Sequence, residues 1–136
     1  MHSNVFYLKE KDEKIRDLTE DEVFEMLDAE RGVDYVRLVD EPDEMNKAIN
    51  MFLEMAKVSL SKTHKRMTDK GMVLTLPYES LVDSLYENLD DLGGFWCINA
   101  GGYEIVTFKD YIRILLQTNP GEDVELLVHK VYDFHY

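Results

Sequence analysis

A chain of 136 residues is the usual size of one domain and is too short to bury two full cores. Hydrophobic residues make up 45% of the chain and charged residues 32%, which excludes both a disordered polyelectrolyte and a membrane protein. Fifteen Lys and Arg against 28 Asp and Glu give a net charge of −13; this field repels phosphate backbones, so direct nucleic-acid binding is disfavoured.

The first third of the chain alternates between short apolar segments and helical patterns. Residues 5–8 are apolar and aromatic and predict an edge strand. Thr19, with Glu22 three residues later, forms a capping box that begins a helix with an apolar stripe. Gly32 is expected to end that helix in the left-handed conformation, and residues 33–39 predict a second strand.

The middle third contains the longest predicted helix. Pro42, in an acidic turn, opens a helix whose apolar residues recur at helical spacing, and we expect it to reach about Thr68. Residues 72–76 then predict a buried strand. After a proline, an apolar stripe from Tyr78 to Leu92 predicts another helix.

The last third predicts a hairpin, a helix and a closing strand. Residues 95–99 and 103–107 are expected to be two strands joined by a Gly-rich turn. Thr107 can cap a helix that follows it, and residues 124–134 alternate well enough to close the sheet.

This order of elements predicts one domain spanning residues 1–136. Its fold class is α+β (mixed α/β), with one mixed, partly antiparallel sheet of about four to six strands flanked by three to four helices. A purely parallel sheet is not expected, because the hairpin at residues 95–107 forces an antiparallel pair.

The acidic residues form two rows on predicted helices. The candidate partner-binding acids are Glu20, Asp21, Glu25 and Asp28 on the first helix and Glu79, Asp83, Glu87, Asp90 and Asp91 on the third. Carboxylates in such rows repel one another. They are either a solvated helix face or a surface that imitates duplex phosphates and suits a basic groove.

The basic residues concentrate in the middle of the chain. Residues 46–70 carry six bases and two acids, whereas the segments on either side are strongly acidic. The candidate basic patch, on the back half of the long helix, consists of Lys57, Lys62, Lys65 and Arg66. These cations either compensate the helix dipole or contact an anion or a partner.

No residue pattern predicts a catalytic site, a cofactor or a metal ion. His129 and His135 lie on one face of the last predicted strand but about 20 Å apart, too far to share an ion. Cys97 lies in an apolar strand, which favours a buried, inert thiol over a nucleophile.

The leading hypothesis is therefore a non-enzymatic interaction protein that docks onto a basic protein. Its sharpest version is an inhibitor that occupies a nucleic-acid-binding groove. Small acidic α/β proteins that neutralise another protein, such as immunity proteins and phage-encoded inhibitors, share this size and charge but no motif. The alternative is a small enzyme or ligand-binding domain with a pocket near Trp96, Asn99 and Tyr103 in the Phe95–Tyr103 hairpin. A homo-oligomer would use the aromatic C-terminal strand as an edge.

A cytoplasmic location is expected. Cys97 is the only cysteine, so no intramolecular disulfide can form, which favours a reducing compartment. The first ten residues lack the basic start and long apolar run of a signal peptide. No apolar stretch is long enough for a membrane-spanning helix.

Overall fold

In the part of the chain that the structure describes, there are seven strands and four helices. This computed structural model describes residues 2–60, 62–69, 71–85 and 96–136, with the backbone alone for 57–59. The strands are β1 (His2–Glu10), β2 (Tyr35–Leu38), β3 (His64–Thr68), β4 (Gly71–Leu76), β5 (Trp96–Asn99), β6 (Glu104–Thr107) and β7 (Val124–His135). The helices are α1 (Glu20–Glu30), α2 (Pro42–Ser59), α3 (Tyr78–Ser84) and α4 (Phe108–Thr118).

All seven strands belong to one mixed sheet. Its order is β3-β4-β7-β1-β5-β6, and β2 also pairs with β7. β1 and β5 run parallel, whereas the other described pairings are antiparallel. The predicted α+β fold with a mixed, partly antiparallel sheet flanked by helices is confirmed, with one strand more than the expected range.

The sheet is covered by helices on both faces. On one face α2, α3 and α4 bury a core that includes Phe52, Leu81 and Phe108. On the opposite face α1 buries Val23 and Leu27 in a second core. Because strand side chains point alternately to the two faces, these cores are separate. As a result, α1 and α3 lie on opposite sides of the sheet.

β1 lies inside the sheet, so the edge position predicted for residues 5–8 was wrong. It pairs with β7 on one side and with β5 on the other. All four residues are fully buried, Val5 and Tyr7 in one core and Phe6 and Leu8 in the other. An unbroken apolar run is the pattern of a strand that is buried on both faces, and this accounts for the sequence.

β7 is also internal, so the prediction that the C-terminal strand is an edge available for oligomer formation was wrong. β1 lies along one side of it, from the His2–His135 pair to the Glu10–Leu126 pair. β4 and β2 occupy successive parts of the other side. Alternation along a strand indicates which residues are buried but not which strands lie beside it.

The long helix ends earlier than predicted. α2 stops at Ser59, and residues 64–68, expected to continue it to about Thr68, form β3. Thr68 pairs with Gly71, the first residue of β4, and Gly71 adopts a positive φ of 113°. Apolar residues at helical spacing end at Leu60, and β3 supplies hydrogen bonds to the otherwise open edge of β4.

The predicted helix starts are correct, but the predicted end of α1, like that of α2, is not. Thr19 and Glu22 form both bonds of the capping box at 3.1 Å, and Thr107 accepts a hydrogen bond from an amide of α4. At the end of α1 the capping residue Arg31 is extended, with φ −160°. The left-handed conformation predicted for Gly32 was wrong, because the chain leaves α1 directly in an extended conformation.

The predicted third helix is described only in part. α3 ends at Ser84 with Leu85 as its capping residue, and the rest of the helix predicted to reach Leu92, residues 86–92, lies outside the described residues. Within the described ranges, no helix combines the length and the apolar character that crossing a bilayer would require.

Candidate functional site

α1 carries the first predicted acidic row on its solvent-facing side. Its eleven residues include six carboxylates and no base. Val23 and Leu27 turn into the core, which directs the charged residues outward. We call Glu20, Asp21, Glu25 and Asp28, all four exposed, the α1 acidic surface.

Two residues of the α1 acidic surface also hold local structure. Glu20 accepts a hydrogen bond from the Leu38 amide at the end of β2, at 2.7 Å. Asp28 accepts one from the Val33 amide at 3.4 Å. Asp21 and Glu25 make no hydrogen bond or ion pair with any described residue. Their charges are therefore not compensated by a close cation in the described part of the chain.

The second acidic row lies on the other side of the sheet. Glu79 and Asp83 are exposed on α3, and Glu79 is paired with Lys62 at 2.9 Å. The hydrogen bond that the Lys62 ammonium donates to the Glu79 carboxylate raises the pKa of Lys62. The remaining members of this row, Glu87, Asp90 and Asp91, lie outside the described residues. Because α1 and α3 cover opposite faces of the sheet, the described acids of the two rows do not form one continuous surface.

A third acidic group, which the sequence did not indicate, surrounds a hollow of about 440 Å³ where β1 ends and β7 begins. Five carboxylates and one lysine line it, namely Glu10, Asp12, Glu13, Asp123, Glu125 and Lys11. The β1–β7 pairing joins these two segments, and the Lys11 amide donates to the Glu125 carbonyl at 2.9 Å. Only this pairing of residues more than a hundred positions apart could have revealed the hollow.

Two carboxyl groups of this acidic hollow have shifted pKa values, in opposite directions. Burial raises the pKa of Glu10, and the negative charges of Glu13 and Glu122 act in the same direction. The hydrogen bond from Arg66, assisted by Lys11, lowers the pKa of Glu125. The hollow is therefore lined by one carboxyl group whose pKa is raised and by another whose charge is compensated by Arg66 and Lys11.

The predicted basic patch is a set of ion pairs on and beside an edge strand. Lys65 and Arg66 lie on β3, and Lys62 precedes it; none of them lies on a helix, which corrects the predicted placement. Lys65 pairs with Glu54, Arg66 pairs with Glu125 at 2.7 Å, and Lys62 pairs with Glu79. The backbone of Lys57 does lie on α2, but its side chain is outside the description.

The predicted pocket at the hairpin is only partly present. Tyr103 borders an open hollow of about 320 Å³. The Arg16 guanidinium stacks over the Tyr103 ring at 4.7 Å and pairs with Glu22 at 2.7 Å. Trp96 packs against the α1-side core, and Asn99 bonds within its own turn, so neither lines the hollow.

Cys97 belongs to the core on the α2 side and is fully buried. Burial raises the pKa of its thiol, because the thiolate would lose its hydration. This environment matches that of an unreactive structural cysteine.

The chain matches no protein-family model, no curated protein sequence and no solved structure.

Proposed function

We propose that the protein is a non-enzymatic, acidic interaction protein that docks onto a basic protein through the α1 acidic surface. The observation that carries the proposal is a helix with six carboxylates and no base. Acids are favourable in its first turn, where the helix dipole is positive. Asp28 and Glu30 lie in its last turn, where the dipole is negative and acids are unfavourable.

The spacing of the acids supports a linear contact. Asp21, Glu25 and Asp28 follow one another by four and three residues, and therefore share one side of the helix. Along the axis they rise by about 6 Å and 4.5 Å, so three carboxylates lie within about 10 Å. Such a row complements a strip of Lys and Arg side chains, as in a groove that binds nucleic acid. An inhibitor that blocks such a groove is the sharpest form of this proposal.

The experiment starts by identifying the partner. The immobilised protein is exposed to extract of the source cells at low salt and eluted with rising salt, and the captured proteins are identified. We expect a basic protein whose affinity falls as salt rises, because exposed charge pairs are screened. Affinity that does not change between low and high salt contradicts electrostatic docking.

The docking surface is then tested with two matched double variants. Asp21→Asn with Glu25→Gln removes two charges from α1, and Glu79→Gln with Asp83→Asn removes two charges at the same spacing from α3. Exposed pairs contribute about 0.2–1 kcal/mol each, so the α1 variant should weaken binding by about two- to thirty-fold. The α3 variant should bind like the unchanged protein. Equal losses would mean that net charge alone drives association.

The inhibitor version has its own test. If the captured protein binds nucleic acid, this chain should displace a labelled duplex from it in proportion to occupancy. Simultaneous binding of the duplex and this chain to the partner would contradict groove occupation.

A further inference from the structure

β7 lacks a strand partner over a short stretch of one side. On that side β4 pairs with it up to Leu127, and β2 pairs with it from Tyr132 onward. Between them, the Val39 amide donates to the Val131 carbonyl at 2.9 Å. Residues 128–130 have no strand beside them there among the described residues.

The same stretch is irregular on its other side. β1 pairs Tyr7 with Lys130 and Leu8 with Val128, which leaves His129 as an extra residue in β7. This is a β-bulge, a feature found preferentially at sheet edges and next to functional sites. A gap and a bulge therefore coincide at one point in the sheet.

A cavity of about 480 Å³ opens at this gap, which we call the β7 notch. α2 covers one side of it with Met45 and Ile49, and the β3–β4 hairpin supplies Met67 and Met72. Val128 of β7 also lines it. This volume is within the range of small-molecule sites, about 300–1,000 Å³. Methionine side chains are flexible and polarisable, so they can fit around an apolar group of irregular shape.

Polar groups lie among these apolar ones. Asn46 and Asn50, one helical turn apart on α2, also line the notch, and both are exposed. Neither side chain makes a hydrogen bond to a described residue. A carboxamide can both donate and accept hydrogen bonds.

We propose that the β7 notch binds an uncharged amphipathic small molecule, with its apolar body against the methionines and its polar end at Asn46 and Asn50. The net charge of −13 disfavours an anion. Among the described residues, no carboxylate lines the notch to hold a cation, and the ring of His129 is bonded to Asp17 at 2.6 Å. The site lies on the α2 side of the sheet, away from the α1 acidic surface.

Two fluorescent probes of matched shape test the ligand class. N-phenyl-1-naphthylamine is uncharged, and 1-anilinonaphthalene-8-sulfonate has the same rings with a sulfonate. We expect saturable one-to-one binding of the uncharged probe to the native protein and binding about tenfold weaker for the sulfonate. Absence of saturable binding overturns the site, and equal affinity for both probes overturns the assignment of an uncharged ligand.

Variants on α2 test the location. Met45→Trp fills the notch and should weaken binding of the uncharged probe by about tenfold or more, whereas Met51→Trp should change it by less than about twofold. Met51 is a suitable control because it lies outside the notch on the same helix and is 51% exposed. If Met45→Trp fails to fold, Asn46→Trp replaces it, because Asn46 is exposed at the notch. Binding unchanged in the notch variants, or lost equally in Met51→Trp, overturns the proposal.

Asp21→Asn with Glu25→Gln should leave probe binding unchanged. Failure of the notch and failure of the acidic docking surface are therefore distinguishable.

Discussion

Phe52 of α2 connects three elements of the larger core. Its ring lies 4.8 Å from that of Phe6 on β1 and 5.3 Å from that of Phe108 on α4, and it is only 2% exposed. Truncation of a buried Phe to Ala costs about 3–5 kcal/mol, and we expect Phe52→Ala near the upper end because the rings of Phe6 and Phe108 on β1 and α4 limit collapse of the site. Phe52→Leu keeps most of the volume but loses the ring pairs, so its expected cost is about 1–2 kcal/mol.

Urea unfolding followed by circular dichroism and by the fluorescence of Trp96 measures these costs. Met51→Ala is the control, because Met51 is adjacent on the same helix and half exposed; we expect a change within about 0.5 kcal/mol. A double-variant cycle of Phe52→Leu with Phe108→Leu should give a coupling of about 0.5–1.5 kcal/mol. A cost below about 1 kcal/mol for Phe52→Ala, or one equal to that of Met51→Ala, would refute the reasoning.

Three further predictions concern charge, pH and thiol reactivity. Glu30→Lys should raise the free energy of unfolding at low salt by about 0.3–1 kcal/mol, because a cation is favourable at the negative end of the α1 dipole. Thermal unfolding measures this gain, which should disappear in about 1 M salt because the charge is screened. Hydrogen bonds from Arg16 and the Thr19 backbone lower the pKa of Glu22 from 4.5 to about 2. The stability that Glu22 contributes is thus present above pH 4.5 and is lost as the pH falls towards 2. In Glu22→Gln the unfolding temperature should therefore depend less steeply on pH between these values, and an unchanged slope contradicts this. Cys97 should react with a disulfide reagent at least about a thousandfold more slowly in the native than in the urea-unfolded protein, and fast native labelling would contradict its burial.

The helix starts and the hairpin were predicted from patterns of residues that are close along the chain. The structure contains these helix starts and the hairpin. The capping bonds of Thr19 join groups three residues apart. β5 and β6 pair as an antiparallel hairpin across residues 100–103, near the Gly-rich turn that the sequence indicated. Signals of this kind are legible in a single sequence because the interacting groups are close along the chain.

Strand neighbours could not be predicted in the same way. The apolar run at residues 5–8 is equally compatible with a short edge strand and with a strand buried on both faces. Residues 61–68 carry no strong pattern of their own, and β3 within them was therefore wrongly predicted as a continuation of the helix. Its strand conformation is decided by pairing with β4. The structure settles both segments through hydrogen bonds to other strands.

The candidate sites also divide into features that follow from nearby residues and features that depend on distant segments. The acidic row on α1 follows from helical spacing, so the sequence alone determined which carboxylates share that helix side. Tertiary structure decided that the described part of the α3 row lies on the opposite face, that Lys62, Lys65 and Arg66 each have an acidic partner, and that Glu10 and Glu125 line one hollow. It also formed the β7 notch from segments that are remote in sequence. The physical reason is that helical periodicity is a property of adjacent residues, whereas surfaces and cavities depend on which distant segments hydrogen bonds and apolar packing bring together.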